Sequence, residues 1–204
     1  MVRSHSPNRR ALSLGLVLAA LTLPLVSPPE PAMAQEAAMS GVKGDIIFWI
    51  QDAENKLTEL ADAIPEDKYA WKPAEGVRSA GDVFMHVATA NFGLPSFIGA
   101  KPPEGFDFRT FEKSASAKDA IMKQMKNSFE HARMAVKNLD DADMDKPVDL
   151  FGNKSTVRGT AMLLVTHNHE HLGQAIAYAR SIGITPPWTA REEARAKEAA
   201  AKKK

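Results

Sequence analysis

With 204 residues, 44% of them hydrophobic and 25% charged, the chain is long enough to bury one sizeable core and too short for two ordinary domains. Its 26 basic residues are balanced by 25 acidic ones, with no stripe of cations interleaved with aromatics, which excludes a nucleic-acid binder driven by counterion release. The absence of cysteine excludes disulfides, thiolate metal sites and a cysteine nucleophile, so any bound metal must be held by nitrogen and oxygen.

Arg3, Arg9 and Arg10 precede a mostly apolar run from Ala11 to Val26, and Ala32-Met33-Ala34 supplies the small-x-small pattern of a signal-peptidase site. The pattern predicts a signal peptide over residues 1–34 with cleavage before Gln35, and a periplasmic or secreted mature protein. Cleavage would remove three of the 26 basic and one of the 25 acidic residues, leaving 23 against 24. The apolar run contains Pro24 and falls short of the roughly 20 residues that span a bilayer, so the mature form is expected to have no membrane span.

From Gly41 to Ile64 the apolar residues Ile46, Ile50, Ala53, Leu57, Leu60 and Ile64 recur at intervals of three and four, predicting an amphipathic helix that Pro65 ends. After the turn-rich PEDKYAWKPAEGVR, Ser79 and Asp82 have the spacing of a capping box. They open a second helix with Val83, Val87, Ala90, Leu94 and Ile98 on one face, expected to stop near Lys101-Pro102-Pro103. Ser116, with Asp119 three residues on, predicts the start of a third helix, striped by Ile121, Met125, Phe129, Ala132, Val136 and Leu139. Residues 140–155 read as a loop with a short hairpin around Val148 to Val157. A fourth helix is predicted from about Thr156 to Ile182, stopped by Gly183 and Pro186-Pro187. The expected fold is therefore all-α, a four-helix bundle over residues 40–187, followed by a polar helical or frayed tail over 188–204.

THNHEHLGQ, residues 166–174, places three of the six histidines within five positions of the fourth helix. At about 100° per residue, His167 and His171 stack one turn apart on the inward stripe with Leu164, Gln174, Ala175 and Tyr178, while His169 points about 200° away from His167. Two imidazoles one turn apart can converge on one ion, and a shared metal gives each buried ring a partner for one nitrogen. Otherwise they are core histidines hydrogen-bonded to carbonyls or hydroxyls. His86, beside Val83, Val87 and Ala90 on the second helix, is the natural third ligand. His131, opposite Phe129 on the third helix, reads as solvated. Gln174 and Tyr178 fall where they could touch a ligand or line its pocket; Asp82 does too, unless it serves only as a helix-capping acid. Three neutral imidazoles would leave coordination positions for water or substrate.

The run LTELADAIPEDKYAWKPAEGVRSAGDVFMHVATA, ending in S-x-x-D-x-x-x-H at His86, together with THNHEHLGQAIAYARSIGI, resembles the DinB-like family of metal-binding four-helix bundles over roughly residues 42–186. The resemblance implies a divalent ion, zinc or nickel most often and manganese or iron otherwise, held by His86, His167 and His171. It also implies homodimers, and activities of the thiol-dependent transferase or isomerase kind using bacillithiol or mycothiol, although many members have no assigned activity. Gly173 and Gln174 match the family's G-Q, whereas Leu172 stands where an arginine is common. The expectation is a metal-dependent hydrolase or transferase acting on a small molecule. A non-catalytic metal-binding or structural bundle is the alternative. A lesser one is an H-x-x-E-H zinc peptidase built on His167, Glu170 and His171, which would need an acidic ligand from Glu192, Glu193 or Glu198.

Overall fold

The computed structural model of the protein describes residues 41–203 and, besides them, only Met1. The leader expected over residues 1–34 lies outside the described residues. Among the described residues, besides short 3₁₀ turns, there are five α-helices and one hairpin: α1 (Gly41–Ala63), α2 (Ala80–Gly93), α3 (Lys118–Lys137), β1 (Pro147–Leu150), β2 (Asn153–Thr156), α4 (Val157–Ser181) and α5 (Pro187–Ala201). None of these helices is long and apolar enough to cross a membrane.

Helices α1 to α4 share one core. In α1 the predicted stripe of Ile46, Ile50, Ala53, Leu57 and Leu60 is withdrawn from solvent, each larger side chain contributing about 1.5–3 kcal/mol of hydrophobic stabilisation. It meets Phe84 of α2, Phe129 of α3 and Leu164 of α4, all buried. Pro65 disfavours helical geometry at Ile64 and ends α1. The Tyr69 hydroxyl then donates to the Ala61 carbonyl at 2.8 Å, folding the next turn back onto the helix end.

Two helix boundaries differ from expectation for local reasons. The α-helical part of α2 stops at Gly93 and continues as a 3₁₀ turn over Leu94–Ile98, because Pro95 has no N–H to give to the preceding turn; Gly99, at φ 91°, closes it. Helix α3 begins at Lys118 with no side-chain cap, and Ser116 does not cap it. What fixes this start is the Lys118 ammonium, which donates to the Asp62 and Ile64 carbonyls at 2.6 and 3.1 Å and so satisfies the C-terminus of α1.

The hairpin is antiparallel, pairing Pro147 with Thr156 and Leu150 with Asn153. Its two-residue turn puts both Phe151 (φ 54°) and Gly152 (φ 83°) in the left-handed region, as the twist of a tight hairpin requires. Thr156 ends the hairpin and caps α4, its hydroxyl accepting from Gly159 N at 3.0 Å. The polar tail is helical as α5 and has no buried residue; Arg191 joins it to Glu59 of α1 at 2.9 Å.

Candidate metal centre

Helix α2 packs against both α3 and α4. Of its 14 residues only Asp82 and His86, one turn apart, are not buried. This corrects the placement of His86 on an inward stripe with Val83, Val87 and Ala90: a helix covered on nearly every side has no single inward stripe, and the pair mark its one open face. Ser79 sets the start of that face through the predicted capping box. Its hydroxyl accepts from Asp82 N at 3.1 Å, and an Asp82 oxygen accepts from Ser79 N at 3.0 Å.

Helix α4 brings His167 and His171 to the same place. Around the middle of the helix Thr160, Ala161, Leu164, Asn168, His171, Leu172 and Ala175 are buried, so His167 lies on the flank of the stripe that looks toward α2. One ligand atom from each of His86, His167 and His171 lies within 4.8 Å of the others. The ring centroids are 5.1 Å apart for His86 and His167, 4.6 Å for His86 and His171, and 4.5 Å for His167 and His171.

The outward nitrogens are already committed. His86 Nδ1 is 2.9 Å from Glu112 Oε2, and since an ionised carboxylate only accepts, the proton sits on Nδ1. His171 Nδ1 is 2.8 Å from Gln174 Oε1, while Gln174 Nε2 donates to the Tyr178 hydroxyl at 3.1 Å. These partners orient Gln174 and place the His171 proton on Nδ1 as well. Both rings therefore offer an Nε2 lone pair.

His86 Nε2 and His167 Nε2 are 3.2 Å apart, and His167 Nδ1 is buried with no partner among the described residues. If His167 carries its proton on Nε2, its Nδ1 lone pair is stranded; if on Nδ1, that N–H is stranded and two lone pairs face each other. Either tautomer leaves a buried polar atom uncompensated, at a cost of about 1–3 kcal/mol. A cation among the three imidazoles removes the lone-pair conflict. With Zn–N bonds of about 2.0–2.1 Å, tetrahedral ligands stand roughly 3.3 Å apart, close to the 3.2 Å between His86 Nε2 and His167 Nε2. The donor set thus fits a divalent ion.

The electrostatics keep His86 and His167 neutral and competent to ligate. Burial, with help from His171, His86 and Arg78, pushes His167 down to about 3. Burial, then Arg78 and His171, also hold His86 below the ordinary histidine range against the opposing pull of Glu112. Burial alone would raise the Glu112 carboxyl, but the hydrogen bonds from Arg78 and His86 outweigh it and hold it below the usual carboxylate range.

No motif of the sequence marks Glu112 or Arg78. Glu112 lies in a 3₁₀ turn (Phe111–Lys113) of the α2–α3 connection and receives the Arg78 guanidinium at 2.7 and 3.1 Å. The only clue to it is chemical: a ligating histidine usually gives its other nitrogen to a carboxylate or carbonyl. Gln174 and Tyr178, expected to touch a ligand or line its pocket, form a hydrogen-bonded chain behind His171. Asp82 is occupied by the cap and by Lys113 at 2.7 Å, away from the rings.

His169 is turned away from the cluster, as the helical reading requires. Its Nδ1 donates to Val165 O at 2.9 Å and its ring lies edge-on to Trp49 of α1. Glu170 is exposed and does not join the three histidines. The peptidase reading therefore lacks its general base, and Glu192, Glu193 and Glu198 lie on the exposed face of α5. His131 is half-buried rather than solvated: its ring rests 5.6 Å from Phe92 of α2, and its Nε2 is enclosed with no partner among the described residues.

Residues 50–175 match the family model of the DinB superfamily. The chain is 27% identical over 135 residues to the uncharacterized protein YjoA of Bacillus subtilis (strain 168), spanning 64% of this chain and 84% of that protein. Among solved structures, a DinB-like protein from Bacillus cereus ATCC 10987 superposes with a TM-score of 0.59 at 20% identity, covering 68% of this chain and 93% of that one. The DinB-like structure of YjoA from Bacillus subtilis gives 0.55 at 27% identity, covering 69% and 93%.

Proposed function

The chain belongs to the DinB superfamily, and from that premise we propose that it is an exported metal-dependent hydrolase or transferase for a small molecule, with zinc or nickel held by His86, His167 and His171. The observation that carries this reading is the facing pair of Nε2 atoms, 3.2 Å apart, on rings whose support comes from Glu112 and Gln174. Three imidazoles and no thiolate suit the intermediate divalent metals. When bound, such an ion supplies Lewis-acid chemistry toward an electron-rich atom of a substrate.

The chain's own residues do the rest. Glu112 keeps the His86 proton on Nδ1 and fixes the ring plane, and Arg78 holds Glu112 in its ionised form. Gln174 does the same for His171 and passes the restraint on to Tyr178, whose ring is braced edge-on against Trp71 at 5.5 Å. Because the open face of α2 is the one that carries His86, the triad is approached from solvent rather than sealed in the core.

Elemental analysis of protein purified without chelator tests the proposal. One equivalent of metal is expected, lost in His86→Ala, His167→Ala and His171→Ala and kept in His169→Ala. Loss in His169→Ala to the same extent would refute the ligand assignment. Screening the zinc and nickel forms against ester, amide and thiol-conjugate panels then separates an enzyme from a metal-binding bundle.

A further inference from the structure

Beside the histidines, on the outer side of Glu112 and Gln174, lies a cavity of about 600 Å³, within the size range of small-molecule sites. Three cations line it, Lys72, Arg78 and Lys113, together with the Tyr178 hydroxyl. The two acids that also reach it are spent. Glu112 takes Arg78 Nε and Nη2 as well as His86 Nδ1. Asp82 takes Lys113 and the Ser79 backbone N–H.

The donors are not exhausted by these bonds. Arg78 Nη1 and Lys72 have no carboxylate partner among the described residues. The Tyr178 hydroxyl accepts from Gln174, which leaves its own proton to give. Uncommitted positive charge and an O–H donor therefore face a space in which every carboxylate is already paired, so the cavity favours a ligand that brings acceptor oxygens and negative charge.

We propose that this cavity binds the oxyanion end, carboxylate or phosphate, of the small molecule on which the site acts, with Lys72, Arg78 and Tyr178 as its donors. The position beside a reactive centre rests on the function proposed above; the oxyanion recognition does not. One consequence follows from the shared bonds: a ligand that draws Arg78 toward itself also acts on Glu112, and through it on the orientation of His86.

The test is a titration of the full chain, first metal-free, with succinate and methyl phosphate as two oxyanion probes and succinamide as the neutral control. The readout is the indole N–H signal of Trp71, which abuts Tyr178. Saturable shifts with at least one oxyanion and none with succinamide are expected, and the probe that binds more tightly assigns the group as carboxylate or phosphate. Lys72→Glu should weaken binding by about tenfold or more, while Lys154→Glu on the distant hairpin should leave it unchanged.

Equal shifts with succinate and succinamide, or binding indifferent to Lys72→Glu, would overturn the proposal. So would oxyanion binding seen only after metal loading, since the ion alone would then be the receptor. Metal stoichiometry is scored separately: one equivalent of metal with no oxyanion binding overturns this inference and spares the triad, whereas oxyanion binding by a chain that holds no metal does the reverse.

Discussion

Glu112 Oε2 lies 2.9 Å from His86 Nδ1 although the two residues are 26 positions apart, so the loop that follows α2 reaches back to fix a ring on that helix. A carboxylate in this place raises the basicity of the opposite nitrogen and locks the ring plane. Glu112→Gln keeps the shape but removes the charge, and its amide can be oriented so that nothing accepts from Nδ1. Metal affinity should fall by about 10–100-fold, measured by competition with a chromophoric chelator, with the thermal unfolding of the metal-free protein nearly unchanged. An affinity equal to that of the natural chain would show that Glu112 only neutralises Arg78.

The capping box at Ser79 and Asp82 has a stability role separable from the metal. Ser79→Ala leaves Asp82 N without its acceptor and should cost about 1 kcal/mol, seen as a lower urea midpoint at unchanged slope. Because His86 lies just under two turns along the same helix, metal affinity in this variant should drop by less than in Glu112→Gln. A larger drop would mean that the cap, not the carboxylate, sets the ring.

How much of this was legible in the sequence depends on whether the information is local. His167 and His171 were readable because a four-residue spacing on one helix fixes their relation whatever surrounds it. His86 was readable as a partner but not in its facing, because residues 83–93 are almost uniformly buried and such a run has little periodicity to read. Ser116 and Asp119 match the spacing of a cap, yet Lys118 decides the start of α3 through carbonyls 54 and 56 residues away. Glu112 and Arg78 sit in irregular segments whose placement depends on the whole bundle, and no local pattern announces them. The helical wheel of α3 alone leaves His131 solvated; the Phe92 ring of α2 that packs against it is a tertiary fact. The expected export leader falls outside the described residues.

Asn91 and Asn168 form a second link between α2 and α4, one residue from His167. Asn168 Nδ2 donates to Asn91 Oδ1 at 3.0 Å with both side chains essentially out of solvent, while Asn91 Nδ2 and Asn168 Oδ1 find no partner among the described residues. Asn168→Leu strands the Asn91 amide in an apolar core and should cost about 1–3 kcal/mol. Adding Asn91→Leu removes the stranded group, so the double variant should be less destabilised than the sum of the two single ones in urea unfolding. Strict additivity would argue that the two amides do not depend on each other.

His131 gives the fold a pH dependence whose sign follows from its burial. Enclosure against Phe92, with Nε2 unpartnered, holds its folded pKa below the ordinary histidine value of about 6.5. Above that value the ring is neutral in both folded and unfolded chains and contributes no pH dependence. Below it the unfolded chain takes up a proton that the native state resists, so stability is lost as the pH falls from about 6.5 toward the lowered folded pKa. His131→Phe removes the titrating group while keeping an aromatic ring against its neighbours. Urea midpoints of the metal-free proteins should therefore diverge between pH 7 and pH 5, with the natural chain falling more steeply. Since His86 and His167 titrate alike in both proteins, the divergence isolates residue 131, and curves that stay parallel through that range would show that its ring is open to protonation in the folded state.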